Sequence, residues 1–344
     1  METKVRNLSR RQKLQLRYYL QTIGTHNGTF HCDEALAVFL LRHTPDYREA
    51  SLKRTRDLAI LDTCDIVVDV GAIYDAEKRR FDHHQRGFQE VFGYGFGTKL
   101  SSAGLIYKHF GKEVIAGELE LDIEDPNLTV LWLKLYKEFI EAIDGIDNGI
   151  SQYPSEQKPK YRNRTDLSSR VSWLNPPWNC PADAEIVDSL FSKASQLAGE
   201  EFLGRLRYYA NAWLPARGFV GAGLTARHGI DPSGRIILFE QFIPWKEHLF
   251  ELEEERNIAS DALPLYVIYP DEFGGNWRVQ AVPVAPESFE SRKALPEKWR
   301  GLRDDQLSRV CGVEGCVFVH ASGFIGGNKT KEGALGLARL AVVM

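Results

Sequence analysis

The chain has 344 residues, a length that suits two domains, and its 43% hydrophobic content is enough to build real cores. A net charge of −4 excludes a global basic field, so any nucleic-acid binding has to be local. No run approaches the roughly 18 consecutive apolar residues of a membrane-spanning helix, and five irregularly spaced cysteines argue for a reducing intracellular compartment over a disulfide framework.

Residues 1–20 are basic, with Lys4, Arg6, Arg10, Arg11, Lys13 and Arg17 against Glu2 as the one acid. This extension reads by default as a solvated helix. An organelle transit peptide, a nuclear-import signal and an RNA contact are the functional readings of the same pattern. Gln21 to Thr25 is expected as the first strand. The loop after it, Thr25 to Glu34, carries His26, His31, Asp33 and Glu34 before the apolar pattern of a buried helix begins at Ala35. Polar side chains this dense at a strand-to-helix corner are poorly explained by packing. Ser51 to Arg56 is a possible second strand. Ile66 to Gly71 is the clearest strand, buried on both faces as in a parallel sheet, with Asp69 near its C-terminal end. Open α/β sheets place ligand groups at that end.

Asp82, His83 and His84 follow. Gly87 to Thr98, with four glycines, reads as a mobile loop, and Leu100 to Phe110 as a helix. Val130 to Ile143 is expected as one amphipathic helix that runs into Asp144 and Asp147. Tyr153 to Asn179 is rich in Pro, Arg, Ser and Asn and marks a boundary loop. Asp183 to Trp213 is expected as a helical connector ended by Pro215. Beyond it the pattern turns to strands at 236–239, 265–268, 279–284 and 316–320. A Gly-rich loop, Ser322 to Lys329, then leads into a helix from Lys331 to Val343. The expected fold is α/β: a doubly wound, mainly parallel N-terminal sheet, a helical connector and a smaller C-terminal α/β domain. The boundaries are 1–20 for the extension, 21–180 for the N-terminal domain, 181–214 for the connector and 215–344 for the C-terminal domain.

His26, His31, Asp33, Asp69, His83 and one of Asp144 or Asp147 each fall at a strand end or in a loop close by, so a parallel sheet gathers them at one edge. Mixed imidazole and carboxylate groups suit a transition metal, Mn²⁺ ahead of structural zinc, with Mg²⁺ second. Two such ions would hold and activate a water against a phosphorus centre. Cys32 reads as a small buried filler. The H-x-E and P-C-x-x-C pattern of zinc deaminases is absent. Near the C-terminus, Gly323, Gly326, Gly327 and Lys329 ahead of a helix form an expected phosphate cradle. Arg303 and His320 are expected at backbone phosphates. Trp277 and Arg278 are expected to stack on and pair with a nucleotide.

The strings GTHNGTFHCDEAL, DIVVDVG, RFDHHQR, TKLSSAGLIY, IDNGIS, KWRGLRD and FVHASGFIGGNKT, spread over about residues 22–340, resemble the melanocyte-proliferating-gene protein family of the DHH phosphoesterase superfamily. The resemblance implies a dimetal centre, usually Mn²⁺, and a C-terminal domain that holds substrate. It also implies a metal-dependent 3′–5′ exonuclease on single-stranded RNA ends, with nuclear and mitochondrial forms beside a cytoplasmic alternative, and no membrane partner. By motif position Asp33, Asp69 and His83 would be the firmest ligands, His84 would face the scissile phosphate and Asp82 would orient the pair. The superfamily's first motif is commonly H-x3-D-x-D; here it is H-x4-H-x-D, which makes His31 an atypical member. Two other functions fit the same residues: a small-substrate phosphatase or pyrophosphatase, and a non-catalytic RNA-binding protein.

Overall fold

A computed structural model describes residues 21–154, 156–271 and 275–344. The basic stretch 1–20 and the readings attached to it lie outside the described residues. The chain divides into two compact units, with the break between Tyr209 and Ala210.

In the first unit the strands are β1 (Thr22–Thr25), β2 (Ser51–Arg54), β3 (Ile66–Val68), β4 (Tyr74–Asp75) and β5 (Arg80–Phe81). They form one sheet in the order β2-β1-β3-β5-β4. β1 pairs in parallel with β2 and β3, and β3 with β5; only β4 against β5 is antiparallel. A mainly parallel sheet therefore puts the C-terminal ends of β1, β3 and β5 at one edge, the edge from which His26, Asp69 and Asp82 emerge. Helix α1 (Cys32–Arg42) is buried all round its length, as a helix apolar on every face must be. It packs against two later helices, α2 (Ser102–Leu119) and α6 (Ala184–Tyr208).

Two segments of this unit differ from expectation. The glycine-rich stretch at 87–98 holds a hairpin, β6 (Val91–Gly93) and β7 (Phe96–Lys99). Tyr94 and Gly95 both take positive φ at its turn, 55° and 91°, which matches the twist of the strands. Phe92 then stacks on Tyr136 with ring centroids 3.6 Å apart. The expected single helix at 130–143 is α3 (Pro126–Leu135), a π-helical turn at Tyr136–Ile140, and α4 (Glu141–Asp147). Asp144 and Asp147 are thus helical residues, not loop residues beyond a helix end. A short helix, α5 (Leu167–Ser172), lies within the segment read as a boundary loop.

Pro215 does not end the helical region. α6 passes through a π turn at Tyr209–Trp213 into α7 (Leu214–Ile230), with proline in its first turn. The wider π turn changes the hydrogen-bond register, so the missing proline N–H falls where a helix start leaves one unpaired anyway. The second unit adds β8 (Ile236–Leu238), α8 (Lys246–Glu255), β9 (Tyr266–Pro270), β10 (Trp277–Ala281), α9 (Asp304–Cys311), β11 (Cys316–Val319), β12 (Ile325–Asn328) and α10 (Lys331–Val343). Its sheet order is β11-β12-β10-β9-β8, antiparallel except for β8 with β9. Both faces are covered. Tyr266 and Ile268 join one core with Trp299 and Leu337, while Val267 and Tyr269 join another with Val220 and Leu249, following the two-residue period of a strand.

Candidate metal centre

β1 ends at Thr25, so His26 is the first side chain past the sheet, and it is 4% exposed. The loop then turns into α1, with Glu34 in the third helical position. Both Glu34 oxygens accept the His31 N–H, at 2.9 and 3.0 Å, as a helix-capping carboxylate does. This places Glu34 Oε1 3.0 Å from His26 Nε2. Arg54, from β2, clamps the loop by donating to the Gly28 carbonyl at 2.8 Å while its other arm pairs with Asp188 at 2.9 Å.

β3 delivers Asp69, whose backbone leaves the strand in the left-handed region at φ 57°. Aspartate tolerates that conformation better than a β-branched residue, and such outliers concentrate at functional sites. Its two oxygens face two different imidazoles: Oδ2 lies 3.3 Å from His26 Nε2 and Oδ1 3.3 Å from His83 Nε2. Ser102, at the start of α2, donates to Oδ1 at 3.0 Å. His83 Nε2 also lies 3.2 Å from Asp147 Oδ2 and 4.0 Å from Asp33 Oδ2. Beside them Asp82 holds His84: Oδ1 accepts the His84 N–H at 3.0 Å and its ring Nδ1–H at 2.7 Å, and Oδ2 accepts the Ala72 N–H at 2.6 Å. His26, Asp33, Asp69, Asp82 and Asp147 line a cleft of about 910 Å³ together with His31, His84, Arg56 and Arg164.

The electrostatics are those of crowded carboxylates around imidazoles. Burial and the charges of Asp69, Asp147 and Glu34 push Asp33 well above the usual carboxylate range. Burial would raise Asp69 too, but the imidazoles of His26 and His83 beside its two oxygens hold it well below that range. Burial opposes protonation of His26, yet hydrogen bonds and charge from Asp69 and Glu34 outweigh it and raise the ring to about 10. His83 rises to about 10 against the same opposition, through Asp147 and Asp69.

The residues fit a divalent cation. Both Asp33 oxygens and His83 Nδ1 are buried without a hydrogen-bond partner, and His83 Nε2 meets Asp69 and Asp147 only as a close ion pair without hydrogen-bond alignment. Unpaired buried polar atoms cost several kcal/mol unless something satisfies them. Three sets of groups could each hold an ion, with ligand atoms within 4.8 Å of one another: His26, His31, Glu34 and Asp69; Asp69, His83 and His84; and Asp33, His83 and Asp147. Asp69 belongs to two of them and His83 to two. His26 Nδ1 lies 3.2 Å from the Asn27 carbonyl and 3.3 Å from Arg56 Nη2, which leaves Nε2 as the atom that would face a metal.

Asp144 is not part of this cluster, which corrects its place among the expected ligands. Its Oδ1 accepts from Ser101 N at 2.9 Å, Ser101 Oγ at 2.7 Å and Gly104 N at 3.1 Å, and Oδ2 accepts from Tyr136 at 3.0 Å. The carboxylate is fully committed to the start of α2. Gly104 is required there, since a Cβ would stand 2.4 Å from both Asp144 oxygens.

The expected cradle at Gly326 and Gly327 is also corrected. Both lie in β12, between β10 and β11, so their backbone groups serve the sheet. A Cβ on Gly327 would meet Arg278 Nη1 at 2.8 Å; the glycine makes room for that guanidinium. Arg278 pairs with Asp271, leaves Nη1 buried and unpartnered, and lies 5.3 Å from the Phe318 ring, with Arg303 5.9 Å from the same ring. Trp277 is half-buried under Lys331. His320 and Lys329 follow β11 and β12 at opposite ends of that antiparallel pair. Ser102 and Arg56 are neighbours of this cluster that sequence reasoning passed over, as is Phe318 beside Arg278 and Arg303 in the second unit, while Glu34 was named in the loop but not set among the ligands.

Residues 22–342 match the family model MYG1_exonuc, "Uncharacterised protein family (UPF0160)". The chain is 52% identical over 323 residues to the "MYG1 exonuclease" of Homo sapiens, covering 92% of this chain and 84% of the relative. It is 49% identical over 317 residues to the "MYG1 protein" of Dictyostelium discoideum, covering 92% and 95%. A solved structure, "exonuclease RecJ bound to manganese", aligns over 96% of this chain and 92% of its own at 12% identity, and its TM-score of 0.22 is too slight to bear on fold or metal. The match to the model and the identity to both relatives run nearly end to end: the chain belongs to the MYG1 family.

Proposed function

We propose that this protein is a metal-dependent 3′–5′ exoribonuclease that trims single-stranded RNA, with a role in RNA processing in the nucleus and the mitochondrial matrix. The observation that carries the reading is the buried Asp33 carboxylate, whose oxygens accept no hydrogen bond, set with His83 among Asp69, Asp147 and His26. The name "exonuclease" on a relative 52% identical supports the reaction class. His26, Asp33, Asp69, His83 and Asp147 would hold two divalent ions, Mn²⁺ before Mg²⁺, with His31 and Glu34 at the edge of the first group. When bound, such ions supply Lewis-acid polarisation of phosphoryl oxygens and a lowered pKa for water.

The chain's own residues supply the remaining chemistry. Asp82 fixes the His84 ring through Nδ1–H, so Nε2 is the atom left to meet substrate. The Asp82 hydrogen bond also raises the His84 pKa, which keeps a proton at Nε2 for a phosphoryl or leaving oxygen. Asp69 is held at both oxygens and cannot swing away. In the second unit, Arg278 and Arg303 flank Phe318, an arrangement suited to one phosphate and one stacked base.

Purified protein with Mn²⁺ should shorten a 5′-labelled RNA oligomer one nucleotide at a time, and a blocked 3′ end should stop it. Asp33→Ala and His83→Ala should each lose more than about a hundredfold, beyond the 10–100-fold typical for second-shell partners. Full activity in both variants would contradict the site. Orthophosphate released from pyrophosphate, with RNA intact, would favour the small-substrate reading. For localisation, deleting residues 1–20 should withdraw a tagged protein from mitochondria.

A further inference from the structure

The segment at 153–180 has a composition its boundary role does not explain. Of the chain's seven tryptophans, Trp132, Trp213, Trp245 and Trp299 are buried and Trp277 is half-buried, while Trp173 and Trp178 stand 75% and 95% exposed. Tyr161 is 79% exposed. Four exposed cations, Lys158, Lys160, Arg162 and Arg164, surround Tyr161 and precede the two tryptophans, with no acid between Glu156 and Asp166. Exposed indoles have no packing role to justify them, and the cations give the segment a sign opposite to the protein's net charge.

The segment is fixed to the metal loop. Asn175, midway between the two tryptophans, makes reciprocal bonds to the backbone of Phe30: its Oδ1 accepts the Phe30 N–H at 3.0 Å and its Nδ2 donates to the Phe30 carbonyl at 2.8 Å. Phe30 immediately precedes His31. Val171 is fully buried and α5 packs on α1, so the anchor is not only polar. Arg164, Ser168, Ser169 and Ser172 line the same cleft as His26, Asp33 and Asp69. Trp173 is the next residue after Ser172. Pro176 and Pro177 stiffen the connection to Trp178.

We infer that residues 158–178 form a track for single-stranded nucleic acid that delivers the strand to the metal cleft, with Tyr161, Trp173 and Trp178 stacking on bases and Lys158, Lys160, Arg162 and Arg164 contacting phosphates. The inference rests on the nuclease reading above and adds where the unpaired strand is held outside the metal cleft. Every base has a face to stack on, so such a track is indifferent to sequence. Its contacts to phosphate make binding dependent on salt. A duplex hides its base faces and should bind the track less well.

The test measures binding of a fluorescein-labelled 12-nucleotide RNA to the full chain by anisotropy, in EDTA so that no cleavage intervenes. Removing one stacking aromatic weakens binding about 5- to 100-fold, so the pair W173A/W178A should lose at least tenfold. W173F/W178F should restore most of it, because phenylalanine still stacks. K158Q/K160Q/R162Q should flatten the slope of log K against log salt by about 2, from roughly 0.7 per phosphate contact. Thermal melts by circular dichroism should match the wild type in all three. Parallel titrations with a DNA 12-mer identify which sugar is preferred, and the same losses on either strand support the track. Wild-type affinity in W173A/W178A, with the wild type cutting RNA, would overturn the track and leave the nuclease reading standing. A wild type that neither binds nor cuts any strand would overturn both. Binding to phosphatidylserine vesicles without binding to either strand would assign the segment to a membrane surface and overturn the proposal.

Discussion

Asp33 is fully buried, raised in pKa first by that burial and then by the charges of Asp69, Asp147 and Glu34, and its oxygens accept no hydrogen bond of good geometry. A divalent cation would neutralise the crowded charge and satisfy both oxygens. Because His26 and His83 stand raised to about 10 in the metal-free protein, both carry protons at pH 7 that an ion at Nε2 has to displace. Metal affinity should therefore rise with pH between about 6 and 9. Calorimetry in two buffers of different ionisation enthalpy should show at least one proton released per ion bound; no difference between the buffers would mean that the imidazoles are not ligands. The same scale separates two aspartates one helical turn apart. Asp144→Ala strands two N–H groups and two hydroxyls, so it should cost about 3 kcal/mol and lower Tm by about 6–12 °C at roughly 2–4 °C per kcal/mol. Asp147→Ala should barely move the metal-free melt and should instead weaken metal binding. The reverse pattern would return Asp144 to the site.

The sheet edge was legible at the level of elements because its residues break packing rules: Asp69 interrupts a buried strand, and His26 with Asp33 crowds a corner that an apolar helix follows. The choice between Asp144 and Asp147 was not legible. Residues three apart on a helix share a face, and only tertiary partners, Ser101, Gly104 and Tyr136, decide which carboxylate is committed. The misreading of Gly326 and Gly327 has the same origin. A glycine that admits a guanidinium against a central strand looks, in sequence, like one that frees a loop. The hairpin at 91–99 shows the converse, since its glycines serve a turn rather than mobility. The link between α2 and α4 can be tested as a unit. Gly104→Ala should expel the Asp144 carboxylate and destabilise to a degree similar to Asp144→Ala. The double variant should fall well short of the sum, since both break one network. Additive losses measured by urea denaturation would show that the two residues act separately.

At the scale of the molecule, the two units differ in kind. The first has a mainly parallel sheet whose edge gathers charge and imidazole; the second has a mixed, largely antiparallel sheet buried on both faces with Arg278, Arg303 and Phe318 grouped on it. Among the described residues no helix is long and apolar enough to cross a membrane. Ligands that bind only the native state stabilise it, by about 2.7 kcal/mol at a hundredfold excess over Kd. Mn²⁺ should thus raise the melting temperature of the wild type and leave Asp33→Ala unmoved. The most direct measurement is a crystal structure of the Mn²⁺-soaked protein with anomalous scattering to place the ions. The account predicts Mn²⁺ within about 2.0–2.3 Å of Asp33, Asp69, His83 and Asp147, with Asp69 reaching toward both His26 and His83 and with Asp144 still bound to Ser101. Ions ligated elsewhere, or a cluster that stays free of Mn²⁺ at millimolar concentration, would contradict it.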